Sequence, residues 1–161
     1  MTQYPSLIVN AHPTPDDLQF LDDQIHRFNV ATTGIVPTDD LLLSILVRDQ
    51  AGVIVAGIWG WTWGTCCEIQ TLWVHEQLRG QGYGRQLLNA AEQEALRRGC
   101  QQMVLDTHSF QAPAFYQKLG YEIIGTIEDY PVGHCKYYLR KRFDVAAPLS
   151  NPTPSNDSYI K

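Results

Sequence analysis

The apolar positions of this chain keep two different periods, and each switch between them marks an element. Between Asp16 and Val30 they fall at Leu18, Leu21, Ile25 and Phe28, so DDLQFLDDQIHRFNV predicts an amphipathic helix. Thr14 or Asp16 can cap it behind Pro13 and Pro15. Ser6–Asn10 reads as a strand before it, and Thr32–Pro37 as a loop after it. The period then falls to that of strands over Leu41–Arg48, Val53–Trp61 and Cys66–Val74, with turns at Asp49–Gly52 and Gly64–Thr65; the first two form a hairpin. Helical spacing returns in a segment running to Arg98. There Leu87, Leu88, Ala91 and Ala95 share one face, while Gln86, Asn89, Gln93 and Arg97 lie away from it. Gly99 suits the left-handed position that ends a helix. Met103–Thr107 reads as a strand, Ala112–Leu119 as a short helix with Pro113 in its first turn, and Tyr121–Glu128 and Lys136–Arg142 as the last strands. The order β-α-β-β-β-α-β-α-β-β predicts an α/β fold on a mixed sheet, in which an antiparallel start gives way to β-α-β units. From Ala146 on the chain is polar and Pro-rich, so the reading is a domain over residues 1–143 and a disordered tail over 144–161.

Composition narrows the classes. The 161 residues, 44% apolar and 18% charged, suit one globular domain. The stretches LLLSILV and VIVAGIWGW are too short to cross a bilayer. MTQYPSLIVN lacks the basic start and long apolar run of a signal peptide. A cytoplasmic protein without membrane contact is the expectation. The formal charge of −5 argues against a nucleic-acid binder; it is compatible with a cationic partner, although ordinary solubility accounts for it more simply. Cys66, Cys67, Cys100 and Cys135 form no CxxC and read as reduced thiols, and the five histidines keep no ligand spacing, so no metal is expected.

The segment LRGQGYGRQLLNAAEQEALRRG, Leu78 to Gly99, asks for chemistry. Gly80, Gly82 and Gly84 alternate just where a helix begins, flanked by Arg79 and Arg85. A helix N-terminus has unpaired N–H groups and about half a positive charge. Glycines remove the β-carbons that would keep an anion away. The P-loop is excluded because no GK[ST] follows, and the dinucleotide fingerprint because residue 85 is Arg. What remains is RxxGxG, after a strand and opening a helix.

RGQGYGRQLL, followed a helix and a strand later by APAFYQKLGYEIIG, resembles the GCN5-related N-acetyltransferase (GNAT) superfamily. Its Q/R-x-x-G-x-G/A signature matches Arg79, Gly82 and Gly84. Its second signature, Asn-x-x-Ala-x-x-x-Tyr-x-x-x-Gly-Phe, matches Ala112, Tyr116 and Gly120; Ser109 stands where Asn is usual and Tyr121 where Phe is. The resemblance covers roughly Leu7–Phe143. It implies the acyl-CoA N-acyltransferase fold with a splayed central sheet, and acetyl-CoA as cosubstrate. It assigns the pyrophosphate to the backbone of Arg79, Gly80, Gln81, Gly82, Tyr83, Gly84 and Arg85, and the pantetheine arm to Leu72, Trp73 and Val74. Ser109 and Phe115, in and beside the second signature, go with the same cosubstrate, lodged where the strands after Cys66 and after Met103 part.

The implied reaction is transfer of an acetyl group to a primary amine. An amine of pKa about 10.4 must lose a proton first, at ~4.6 kcal/mol at pH 7. The resemblance makes Tyr116 the acid for the departing sulfur, against the plain alternative of a core aromatic. A phenol near 10 and a thiolate near 8.5 leave that transfer uphill by about 2 kcal/mol. Glu68, on the strand that often carries the family's base, is the candidate base and equally a plain strand carboxylate; His134, Asp129 and His108 are reserves. Asn29 and Thr32, where the first helix ends, are candidates for the acceptor side. Trp59, Trp61 and Trp63 share a face, as an aromatic wall or as a face packed by a helix. Two other readings stay open, an acyl-CoA sensor without catalysis and an acyltransferase for longer chains. The acceptor, whether small molecule, peptide or protein amine, is not fixed, and a homodimer stays open.

Overall fold

A computed structural model describes residues 7, 9–36 and 41–144. They fall in two compact units, within Met1–Asp40 and within Leu41–Lys161. In the first, helix α1 spans Pro15–Thr33. Thr14 caps it in a reciprocal box: its hydroxyl accepts the Asp17 N–H at 3.1 Å while the Asp17 carboxylate accepts the Thr14 N–H at 3.0 Å. Gly34, at φ 68°, ends it by donating to the Val30 carbonyl. The helix therefore runs past Thr32, where a loop was expected, because the first residue able to turn left-handed is Gly34. Of the strand expected over Ser6–Asn10, residues 6 and 8 lie outside the described ones, and Leu7, Val9 and Asn10 are not in a strand. The expected tail lies outside them too, apart from Asp144.

The second unit is a six-stranded mixed sheet in the order β1-β2-β3-β4-β6-β5. Its strands are β1 (Leu42–Arg48), β2 (Ile54–Trp63), β3 (Cys66–Val74), β4 (Gln102–His108), β5 (Glu122–Ile127) and β6 (Lys136–Arg142). β3 and β4 pair in parallel, with helix α2 (Tyr83–Arg97) crossing between them; the other ladders are antiparallel. Helix α3 (Pro113–Gln117) follows β4. Leu87, Leu88, Ala91 and Ala95 of α2 bury against Leu43, Ala56, Ile58, Cys67 and Ile69 of the sheet. By strand alternation the three tryptophans point the other way. Among the described residues no helix of this unit covers that face, and Trp59, Trp61 and Trp63 are 38–44% exposed.

The Tyr121 that replaces the expected phenylalanine has a use for its hydroxyl. It donates to Glu92 at 3.0 Å, and Lys141 donates to the other carboxylate oxygen at 2.7 Å, so a carboxylate only 7% exposed is partnered on both sides. All four cysteines are free, and burial pushes the Cys67 thiol up to about 12.

One irregularity shapes the sheet. Trp59 faces Thr71 but Gly60 faces Ile69, which leaves Gln70 unpaired in a bulge. A β-carbon on Gly60 would overlap the Glu68 carbonyl oxygen and stand 2.8 Å from the Ile69 Cα, so only glycine admits this approach. The β3–β4 ladder stops at Ile69 opposite Leu105, next to the bulge. Beyond it β3 follows β2 to Val74, and β4 follows β6 to His108. The two strands part, and a gap opens.

Candidate active site

A cavity of about 640 Å³ occupies that gap. One wall is Gln70–Val74, an edge of β3 that among the described residues has no strand partner on the β4 side. The other is Asp106 and Thr107 of β4 with Phe110, Gln111 and Ala112 after it. Arg79 and Tyr116 complete the lining. Leu72, Trp73, Val74, Arg79 and Tyr116, singled out from sequence, are thus brought together. An extended ligand could pair with such an edge as a further strand.

Arg79 leads to the glycine turn. Its guanidinium Nε donates to the Val74 carbonyl at 3.1 Å, which ties the turn to the end of β3. Gly80 and Gly82 sit at φ 75° and 88°, where a side chain would be strained. Gly82 caps α2 without a side-chain acceptor, the first turn holds no acidic residue, and the first intrahelical acceptor serves Gln86. The N–H groups of Tyr83, Gly84 and Arg85 are the orphan donors of this helix start. Gly84 has a different reason to be small: a β-carbon there would lie 3.4 Å from the Phe115 ring and 3.9 Å from Val74. Phe115, packed against the core, supports the turn and is not in the cavity lining. Gln81 is tied to the Gln77 carbonyl at 2.8 Å.

Tyr116 is 8% exposed, and its hydroxyl has no hydrogen-bond partner among the described residues. Burial first, and the Asp106 charge second, push its phenol up to about 12. Giving that proton to a thiolate near 8.5 is uphill by about 3.5 units, or ~5 kcal/mol, over twice the figure for an ordinary phenol. At neutral pH the group is a fixed hydrogen-bond donor.

Glu68 lies in the paired part of β3, opposite Val104, and accepts Gln70 Nε2 at 2.8 Å; it is not in the cavity wall. The carboxylate in the wall is Asp106. Sequence reasoning passed over it, although alternation carries the signal: Met103, Leu105 and Thr107 are buried, so Asp106 must face the other way. Its partner is Lys136, at 3.0 Å. Ser109 stitches β4 to the loop before β6, donating its N–H to the Cys135 carbonyl and accepting the Cys135 N–H on its hydroxyl. His134 Nδ1 stands 3.3 Å from that hydroxyl. His108 stacks on Phe110, and Asp129 accepts the Gly133 N–H at 3.1 Å. Asn29 and Thr32 lie in the last turns of α1, in the first unit. Among the described residues no group of three His, Cys, Asp or Glu is placed to hold a metal, and no helix is long and apolar enough to cross a membrane.

Residues 10–121 match the family model described as the acetyltransferase (GNAT) family. The chain is 33% identical over 121 residues to the acetyltransferase Atu2258 of Agrobacterium fabrum, over 75% of this chain and 87% of that one. It is 36% identical over 96 residues to the blasticidin-S acetyltransferase of Streptomyces morookaense, over 57% of this chain and 68% of the relative. The crystal structure of an acetyltransferase from Bacillus cereus superposes with a TM-score of 0.70 at 34% identity, over 86% of this chain and 98% of that one.

Proposed function

The chain belongs to the acetyltransferase (GNAT) family, and from that membership we propose that it transfers the acetyl group of acetyl-CoA to a primary amine of a small molecule. The observation that carries this reading is one cavity lined by Arg79, the free edge of β3 and Tyr116, with the uncapped start of α2 three residues beyond Arg79 in the chain. The orphan N–H groups of Tyr83, Gly84 and Arg85, with Arg79 and Arg85, suit a pyrophosphate. Leu72–Val74 offers backbone partners to the pantetheine arm. A backbone N–H at the end of β3 is suited to the oxyanion. In the transfer, the amine nitrogen bonds to the acetyl carbon, the carbon–sulfur bond breaks, the amine gives up a proton, and CoA leaves as a thiol. Tyr116 holds a hydrogen bond to the sulfur as its charge develops. One relative is a blasticidin-S acetyltransferase, which makes a small amine-bearing acceptor the first class to test.

Calorimetry with acetyl-CoA tests the donor site. Gly82→Val puts a branched side chain at φ 88° beside the orphan donors. With each bond to a charged group worth roughly 1.5–3 kcal/mol, losing two of them weakens binding at least ~100-fold. Release of CoA thiol with blasticidin S, spermidine and kanamycin then tests the transfer. Wild-type protein that does not bind acetyl-CoA, or binds it and acetylates none of these amines, would refute the reading.

A further inference from the structure

We propose that Asp106, together with the rings of Tyr130 and Tyr138, is the recognition site for the acceptor's ammonium group, and that Lys136 fills it in the free protein. This rests on the acetyl-transfer reading above and assigns the acceptor's contact to Asp106, the member of the group that lines the cavity.

The side of approach comes from alternation along β4. Met103, Leu105 and Thr107 face the core, which also holds the Tyr116 ring, so Asp106 reaches the gap from the opposite face. The phenol and the carboxylate line one cavity from two sides. The core fills the Tyr116 side, and an acceptor has the Asp106 side to enter by.

Lys136 shows what this spot does to an ammonium. Its Nζ lies 3.0 Å from Asp106 Oδ1, 5.6 Å from the centre of the Tyr130 ring and 5.3 Å from that of Tyr138. A carboxylate with two ring faces is the chemistry that recognises an alkylammonium. Asp106 and Tyr138 are direct partners across the β4–β6 ladder, so the backbone fixes their spacing. The Lys136 pKa is raised, chiefly by its bond to Asp106, and the lysine is held as a cation. Asp106 is open to exchange of Lys136 for an acceptor's ammonium: its side chain is 40% exposed and it lines the cavity.

Ring surface lies alongside. Phe110, in the cavity wall, stacks on His108 with centroids 5.1 Å apart and planes 20° apart, and meets His134 edge-on at 4.9 Å. The acceptor class that fits is a small cation whose amine sits on a flat or apolar frame.

Asp106→Asn and Lys136→Met separate this from a plain cross-strand ion pair. Initial rates of thiol release are read with whichever of blasticidin S, spermidine and kanamycin turns over fastest, beside acetyl-CoA calorimetry on each protein. Asp106→Asn is expected to raise KM for the amine about 10- to 100-fold, the worth of one charge-assisted bond. It should leave acetyl-CoA affinity within about twofold and kcat within about threefold. Lys136→Met frees the carboxylate and is expected to lower KM for the amine. A purely structural pair would move both variants the same way. An unchanged KM in Asp106→Asn, a loss in kcat alone, or a KM that rises in both variants would overturn the assignment. Wild-type protein that fails to bind acetyl-CoA or to turn over would instead remove the acetyl-transfer reading, and this site with it.

Discussion

In the proposed chemistry Tyr116 faces the departing sulfur, and its surroundings decide whether it keeps its proton. Its ring is held edge-on between Phe115 and Tyr121, at 5.1 and 5.9 Å, so Tyr116→Phe keeps the packing and removes only the hydroxyl. With full proton transfer uphill, the hydroxyl acts through a hydrogen bond to developing charge, worth roughly 1.5–3 kcal/mol. The variant should therefore lose about 10- to 100-fold in kcat, with melting temperature and acetyl-CoA affinity little changed; steady-state rates and calorimetry check both. The direction of the pKa shift adds a sign. The donating form of Tyr116 is the protonated one, and it persists until pH nears about 12. Any fall in kcat of the wild type below pH 11 then belongs to another group, and should persist in Tyr116→Phe. The signature from Ser109 to Tyr121 singled this residue out, because it is one continuous stretch from the end of β4 through α3 and the turn after it. Asp106 had no such frame. It stands in VLDTH, and its meaning comes from Lys136, which only the β4–β6 ladder brings beside it.

Among the elements, β2 does more than fill the sheet. Its Gly60 admits the bulge at Gln70, and the bulge coincides with the end of the β3–β4 pairing that opens the cavity. Gly60→Ala must push backbone against backbone, which neither strand can avoid by a side-chain rotation. Gly57 makes a control in the same strand, because a β-carbon there would stand 2.8 Å from the movable end of the Leu46 side chain and 3.2 Å from the Ile45 carbonyl oxygen, a milder backbone approach than at Gly60. Chemical denaturation should show Gly60→Ala destabilised by at least ~2 kcal/mol and more than Gly57→Ala, and calorimetry should show acetyl-CoA binding weakened in the first only. Equal effects of the two would detach the bulge from the site. The six strands of the sheet were legible from alternation, with Cys66–Val74 and Lys136–Arg142 falling on the bounds observed, whereas the strand expected over Ser6–Asn10 was not found at its described residues. The bulge was not legible. A glycine inside a strand does signal a close backbone approach, but the alternating tryptophans around Gly60 read as an unbroken ladder.

At the scale of the whole unit, α2 follows the glycine turn at one end and is fixed against the sheet at the other. The residues that do this are charged. Glu94 accepts two bonds from Arg97 and one from Arg98, each at 2.7 Å. Arg98 in turn donates to the Leu42 carbonyl at 3.2 Å and reaches the Leu41 carbonyl and the Thr62 hydroxyl at 3.4 Å, tying the end of α2 to the start of β1 and the end of β2. Helical periodicity announced the apolar face of α2 but not this tie, because Leu41 and Thr62 lie far from Arg98 in the chain. The tie has a signature in acid. Hydrogen bonds from Arg97 first and Arg98 next lower the Glu94 carboxyl from 4.5 to about 2. A carboxyl lowered on folding stabilises the native state fully above its unfolded value and loses that contribution as pH falls through the folded one. Glu94→Gln should therefore melt below the wild type at pH 5 to 7, by an amount that shrinks from pH 4.5 downward and closes near pH 2. Melting curves followed by circular dichroism across that range measure the gap. A gap that holds constant with pH would mean that the arginines grip α2 without help from the Glu94 charge.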